Sequence, residues 1–185
     1  MKNKKKHKYS AIALITVSAL LLGVYPFYEL RYTDARMDCF PYKVWFIDKT
    51  KRDPSVGDFI MFTTPANAAS YVPGHKKWIK KILAATGGNI EVTPARAGET
   101  YSVYMNGLEK KLPVKARVTV HDSRTNKTFI AFAADSLGRP LPLIEKQTIP
   151  AGYYYLYSPV ARSYDSRYWG LVKKIEILGK AYPIL

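Results

Sequence analysis

Tyr101-Ser102-Val103-Tyr104-Met105-Asn106-Gly107 is a Tyr- and Val-rich run that ends on the pair Asn-Gly. That pair tolerates the positive φ angles of the tightest antiparallel turn, so the stretch predicts a β-hairpin. Comparable runs lie on both sides of it. Upstream, residues 58–63 follow the turn-forming Ser55-Val56-Gly57, residues 78–83 mix lysines with large apolar groups, and residues 89–92 follow Gly87-Gly88. Downstream, residues 117–121 alternate Val with polar groups, residues 128–132 follow a polar turn, and residues 153–157 and 171–178 close the pattern. Short strands punctuated by Gly, Pro, Asn and Asp predict an all-β, mainly antiparallel architecture of barrel or sandwich type. No internal repeat or low-complexity linker divides the chain. Residues 94–142 are its least apolar part and are expected to form an insertion or lid.

The chain has 185 residues, with 29 Lys and Arg against 14 Asp and Glu, a formal net charge of +15. Lys2, Lys4, Lys5, Lys6 and Lys8 make residues 1–9 a cationic leader. Residues 10–28 then carry no charge, close to the ~20 residues that a spanning helix needs. Positive charge on the near side predicts a cytoplasmic N-terminus, with Tyr25, Phe27 and Tyr28 anchored at the far interface. No Ala-x-Ala site follows the apolar core, and bulky Tyr25-Pro26-Phe27-Tyr28 stands in its place. This favours an uncleaved transmembrane anchor over a removed signal peptide. Residues 29–185 are then expected on the periplasmic side of the inner (plasma) membrane. The remaining basic charge is spread along the chain with no zinc-finger, helix-turn-helix or RNA-binding signature. That argues against nucleic acid as a partner and fits a face near anionic lipid.

Four blocks in order carry a family resemblance. Cys39-Phe40-Pro41 follows the apolar segment. Val56-Gly57-Asp58-Phe59-Ile60-Met61-Phe62 comes next, and then Trp78-Ile79-Lys80-Lys81-Ile82 leading to Gly87-Gly88. The last and most specific is Ser163-x-Asp165-Ser166-Arg167-Tyr168-Trp169-Gly170-x-Val172. Gly-Asp alone would be weak; the joint order is informative. In these blocks the chain resembles the signal peptidase I family, and within it the conjugative-transfer (TraF-like) branch. The resemblance implies a signal peptidase β-fold behind one membrane anchor.

The chemistry follows from residue types. Metal-free peptide hydrolysis needs a nucleophile, a proton carrier and an oxyanion site. His7, His75 and His121 lack the companions of a triad, and ligands are too scattered for a metal site, so no cofactor is expected. Lysine remains. In a strand Lys80 and Lys81 point to opposite faces, so one can be buried while the other stays wet. Burial disfavours a lysine's charged form, and Trp78, Ile79, Ile82 and Leu83 supply apolar surroundings. The resemblance selects Lys80 for the inside. It also places a serine nucleophile at position 39, where this chain has its single cysteine. A thiol is more acidic than an alcohol, so a Cys39/Lys80 dyad is expected to hold a thiolate–ammonium pair before substrate arrives.

The resemblance assigns supporting roles to Ser163, which would orient Lys80, and to Asp165 and Arg167, which would pair beneath the site. Phe40 and Pro41 are expected at the substrate, and the Cys39 N–H is the expected oxyanion donor. Three departures stand out. Met37 replaces a hydroxyl residue two positions before the nucleophile. Tyr157-Ser158-Pro159 replaces a Gly-Asp-Asn, and Lys43 stands where the branch often has Gly. The implied function is processing of exported precursors, pilin-like polypeptides of a conjugation apparatus. A housekeeping peptidase for secretory preproteins and a catalytically silent pilus-assembly scaffold are the alternatives.

Overall fold

A computed structural model of the chain describes residues 23, 25–33, 39–68, 71, 77–105 and 107–184. Among the described residues twelve strands are formed: β1 (Tyr28–Tyr32), β2 (Val44–Asp48), β3 (Phe59–Thr63), β4 (Lys77–Ala84), β5 (Asn89–Pro94), β6 (Thr100–Met105), β7 (Leu108–Asp122), β8 (Thr125–Phe132), β9 (Gln147–Thr148), β10 (Tyr153–Tyr157), β11 (Val172–Lys173) and β12 (Ile177–Pro183). One short helix, α1 (Ser166–Trp169), precedes β11. The strands build two sheets, one in the order β1-β2-β12-β3-β4-β10-β11 and one in the order β6-β7-β5-β9, with β8 paired to β7. Every strand pairing within them is antiparallel. The all-β expectation is borne out.

The hairpin read from Asn106-Gly107 closes as β6 and β7, with Met105 opposite Leu108. Gly107 supplies the positive φ of 78° that the turn requires. Residues 94–142, expected as an insertion or lid, form a β layer on a shared core. Val103, Leu112, Val118, Val120, Phe132 and Leu141 pack with Leu83, Ala84, Tyr155 and Tyr157 in one buried cluster.

Three readings change at the ends of the sheet. Residues 171–178 are not one strand: β11 pairs with β10, a 3-10 turn spans Lys174–Glu176, and β12 then crosses to β2 and β3. Strands β1 and β2 form where no strand was read. Tyr28, the last residue of the expected span, is the first residue of β1 and sits opposite Asp48. The rest of the 10–28 span, apart from Gly23 and the turn at Tyr25–Phe27, lies outside the described residues, as does the 1–9 leader. Among the described residues no helix is long and apolar enough to cross a membrane.

Strand β4 is the hub. Trp78 and Ile82 pack with Ile60, Phe62 and Leu156. Ile79 joins Trp45, Ile47 and Met61 in a second cluster, and Leu83 and Ala84 enter the third. A strand fixed on every side by packed side chains holds its residues to one register.

Gly179, in β12 between β2 and β3, is a second fixed point. A Cβ there would lie 2.5 Å from the Asp48 carbonyl oxygen, which is backbone and cannot swing aside. Gly179→Ala is expected to destabilise the fold by about 1–3 kcal/mol, the usual cost of overpacking. Chemical denaturation checks this, and an unchanged midpoint would show that β2 and β12 yield freely.

Candidate active site

Lys80 leaves the centre of β4 opposite Ile60 of β3 and is 3% exposed. Its neighbour Lys81 points the other way, half-buried, with its ammonium 5.3 Å from the centre of the Phe59 ring. Strand alternation therefore sorts the two lysines as expected from the sequence.

Cys39 and Phe40 lie in a bend before β2. Phe40 is half-buried and meets Phe59 and Trp45 edge to face, at ring-centre distances of 5.0 and 6.1 Å. These contacts, together with β2, pin the bend against the sheet. Pro41 is exposed. Phe40 is thus engaged in aromatic packing, while Pro41 presents a free face.

The third contributor is the loop from β10 to α1. Asp165 caps the helix by accepting the Arg167 N–H at 3.2 Å. Its carboxylate also pairs with Arg167 in a two-pronged bond, Nε to Oδ1 at 2.7 Å and Nη2 to Oδ2 at 2.8 Å. Both side chains are sealed from solvent. Arg167 further donates to the carbonyls of Ile130, Ala161 and Ser163 at 2.7, 3.0 and 2.9 Å. Burial pushes the guanidinium down, but Asp165 outweighs it and the group is held above its ordinary range. Trp169 packs 4.6 Å from Trp78, and the Tyr168 hydroxyl accepts the Phe132 N–H at 3.0 Å. The loop that carries Ser163 is therefore braced from both sheets.

Three side chains converge. The Lys80 Nζ donates to the Cys39 Sγ at 2.9 Å and to the Ser163 Oγ at 2.6 Å, and the sulfur and hydroxyl are 3.6 Å apart. Burial pushes the Cys39 thiol up. The Lys80 charge and hydrogen bond, with the Ser163 hydrogen bond, override that push, so the thiol sits below its ordinary value. Asp165 and Arg167 stand behind this cluster and meet it through Ser163. His121 is on β7, beside Glu91 at 3.8 Å; His7, His75 and Met37 lie outside the described residues. Among the described residues no group of His, Cys, Asp or Glu side chains could hold a metal.

The sequence profile described as signal peptidase, peptidase S26, matches residues 6–185. The chain belongs to the signal peptidase S26 family. Within that family it is similar to proteins named for conjugal transfer. The conjugal transfer protein TraF of Agrobacterium fabrum is 24% identical over 184 residues, covering 92% of this chain and 89% of that protein. A Sinorhizobium fredii protein named "Probable conjugal transfer protein TraF" is 27% identical over 175 residues, covering 94% of this chain and 83% of its own length. This S26 peptidase chain thus places its single thiol against a buried lysine, in a family whose resemblance implies a serine there.

One residue of the cluster escaped sequence reading. Ser158 is 1% exposed and its hydroxyl donates to the Cys39 carbonyl oxygen at 2.5 Å. The only signal was the departure Tyr157-Ser158-Pro159, a small polar residue directly after an apolar strand.

Proposed function

We propose that this signal peptidase family member is a membrane-bound peptidase that cleaves exported precursors, pilin-like polypeptides of a conjugation apparatus, with Cys39 as nucleophile and Lys80 as proton carrier. One observation carries the reading: a sulfur with a lowered proton affinity sits 2.9 Å from the Nζ of a lysine that is itself buried. Burial at a site between packed strands also excludes water, which strengthens every charge interaction there.

The resting pair is a thiolate and an ammonium. The sulfur attacks the scissile carbonyl carbon; a C–S bond forms and the carbonyl π electrons move to oxygen, beside the Cys39 N–H. Collapse breaks the C–N bond, and Lys80 gives its proton to the departing amine. A thioester and a neutral lysine remain. Water then attacks the thioester as Lys80 takes its proton; the C–S bond breaks, and thiolate and ammonium are restored. Ser163 accepts from Lys80 throughout and keeps the amine aimed at the sulfur. An extended precursor adds as a strand beside the site. The cationic leader and the uncharged residues ahead of β1 support a domain tethered at the inner membrane with its site on the periplasmic side.

The single thiol makes a clean test. Full alkylation of detergent-solubilised, full-length protein with iodoacetamide is expected to stop maturation of a co-purified pilin-type precursor. Cleavage that survives complete alkylation would remove Cys39 from the mechanism. A precursor that binds without being cut by unmodified protein would favour the scaffold. Equal cleavage of an unrelated secretory precursor would favour a housekeeping role.

A further inference from the structure

The buried Asp165–Arg167 pair reaches toward both members of the dyad, through two different serines. Toward the lysine, Arg167 Nη2 donates to the Ser163 carbonyl at 2.9 Å, and the Ser163 hydroxyl accepts from Lys80 at 2.6 Å. Toward the cysteine the link is Ser158. Its N–H donates to Asp165 Oδ2 at 3.3 Å, and its hydroxyl donates to the Cys39 carbonyl oxygen at 2.5 Å. The same hydroxyl oxygen accepts the Val160 N–H at 3.4 Å.

We propose that Ser158 is a positioning residue that fixes the backbone of Cys39 relative to Lys80, so that one buried ion pair sets the register of both sulfur and amine. A serine accepting from the N–H two residues on is ordinary turn chemistry. The donated bond is not local, because it spans 119 positions to reach Cys39. Cys39 needs such a bond. It lies in a bend outside the strands, so no ladder partner fixes its carbonyl. With that carbonyl held, rotation about the Cys39 backbone is checked and the sulfur stays within reach of the ammonium. With it released, the sulfur swings and loses the contact that lowers its proton affinity.

This inference rests on the reading of Cys39 as nucleophile, yet it has a readout that needs no peptidase activity. The pH dependence of Cys39 alkylation by iodoacetamide reports the thiol directly. In Ser158→Ala the midpoint should move to higher pH. Precursor maturation should lose about tenfold in kcat with KM unchanged, the scale of one buried hydrogen bond. Should the alanine variant fail to fold, Ser158→Thr and Ser158→Val form a matched pair of equal shape. Threonine keeps the hydroxyl and should retain the wild-type midpoint, and valine should shift it. An unmoved midpoint in Ser158→Ala, or equal midpoints for Thr and Val, would overturn the proposal whatever the activity. A shifted midpoint in a protein that matures no precursor would uphold the positioning and defeat the peptidase reading.

Discussion

Replacing Lys80 with methionine should reduce precursor maturation by at least about 10²-fold, the range for loss of a positioned proton carrier. Methionine keeps the unbranched apolar stem of the side chain, one atom shorter, and at a site 3% exposed it replaces a buried cation with a packed neutral group. The domain should therefore stay folded while its chemistry fails. Two losses combine. On the proposed mechanism the departing amine then has no proton donor, and the Cys39 thiol has lost the charge that lowers it while the burial that raises it remains. In the wild-type protein, alkylation should slow as pH falls through a midpoint below that of a free thiol, because protonation consumes the thiolate. In Lys80→Met the midpoint should lie above it. Cys39→Ser is the companion test, because an alcohol beside the same lysine has no resting anion and must await deprotonation by a neutral amine. Maturation by Lys80→Met within a factor of two or three of wild type would remove Lys80 from the mechanism.

Arg167→Met should cost about 3–5 kcal/mol of stability, the usual result of stranding one half of a buried ion pair. Asp165 is 0% exposed and would be left as an uncompensated charge. The carbonyls of Ile130, Ala161 and Ser163 would lose their donor at the same time. Total stabilities of single domains run to about 5–15 kcal/mol, so the loss is a large share. Asp165→Asn should also be costly, and the double variant Asp165→Asn/Arg167→Met should cost less than the two single changes combined, since they share one interaction. Chemical denaturation of the three proteins checks this. A loss under about 1 kcal/mol would mean that the pair behaves as if it were on the surface.

Much of the fold was legible because strand signals are local. Asn106-Gly107 marked its hairpin, and the run at 153–157 was bounded by turn residues. The alternation of Lys80 and Lys81 followed from strand geometry alone. Where local signals merge, reading failed. The uncharged run 10–28 ends one residue inside β1, where Glu29 brings the first charge, so Tyr28 read as membrane. β2 is five residues long with no turn pair to frame it, and residues 171–178 mix apolar and charged groups as a half-exposed strand would, which hides the turn at Lys174–Glu176.

The sequence by itself determined the antiparallel β class and the opposite faces of Lys80 and Lys81, which depend on residues a few positions apart, and the motif order that points to the family, which is read along the chain without any folded contact. Only the tertiary structure decided that the Cys39 sulfur meets an amine 41 positions away, that the Ser163 hydroxyl joins them, and that the Ser158 hydroxyl bonds the Cys39 carbonyl. Those contacts depend on strand order and on how the β10–α1 loop is braced, and these emerge from the packing of many distant side chains at once.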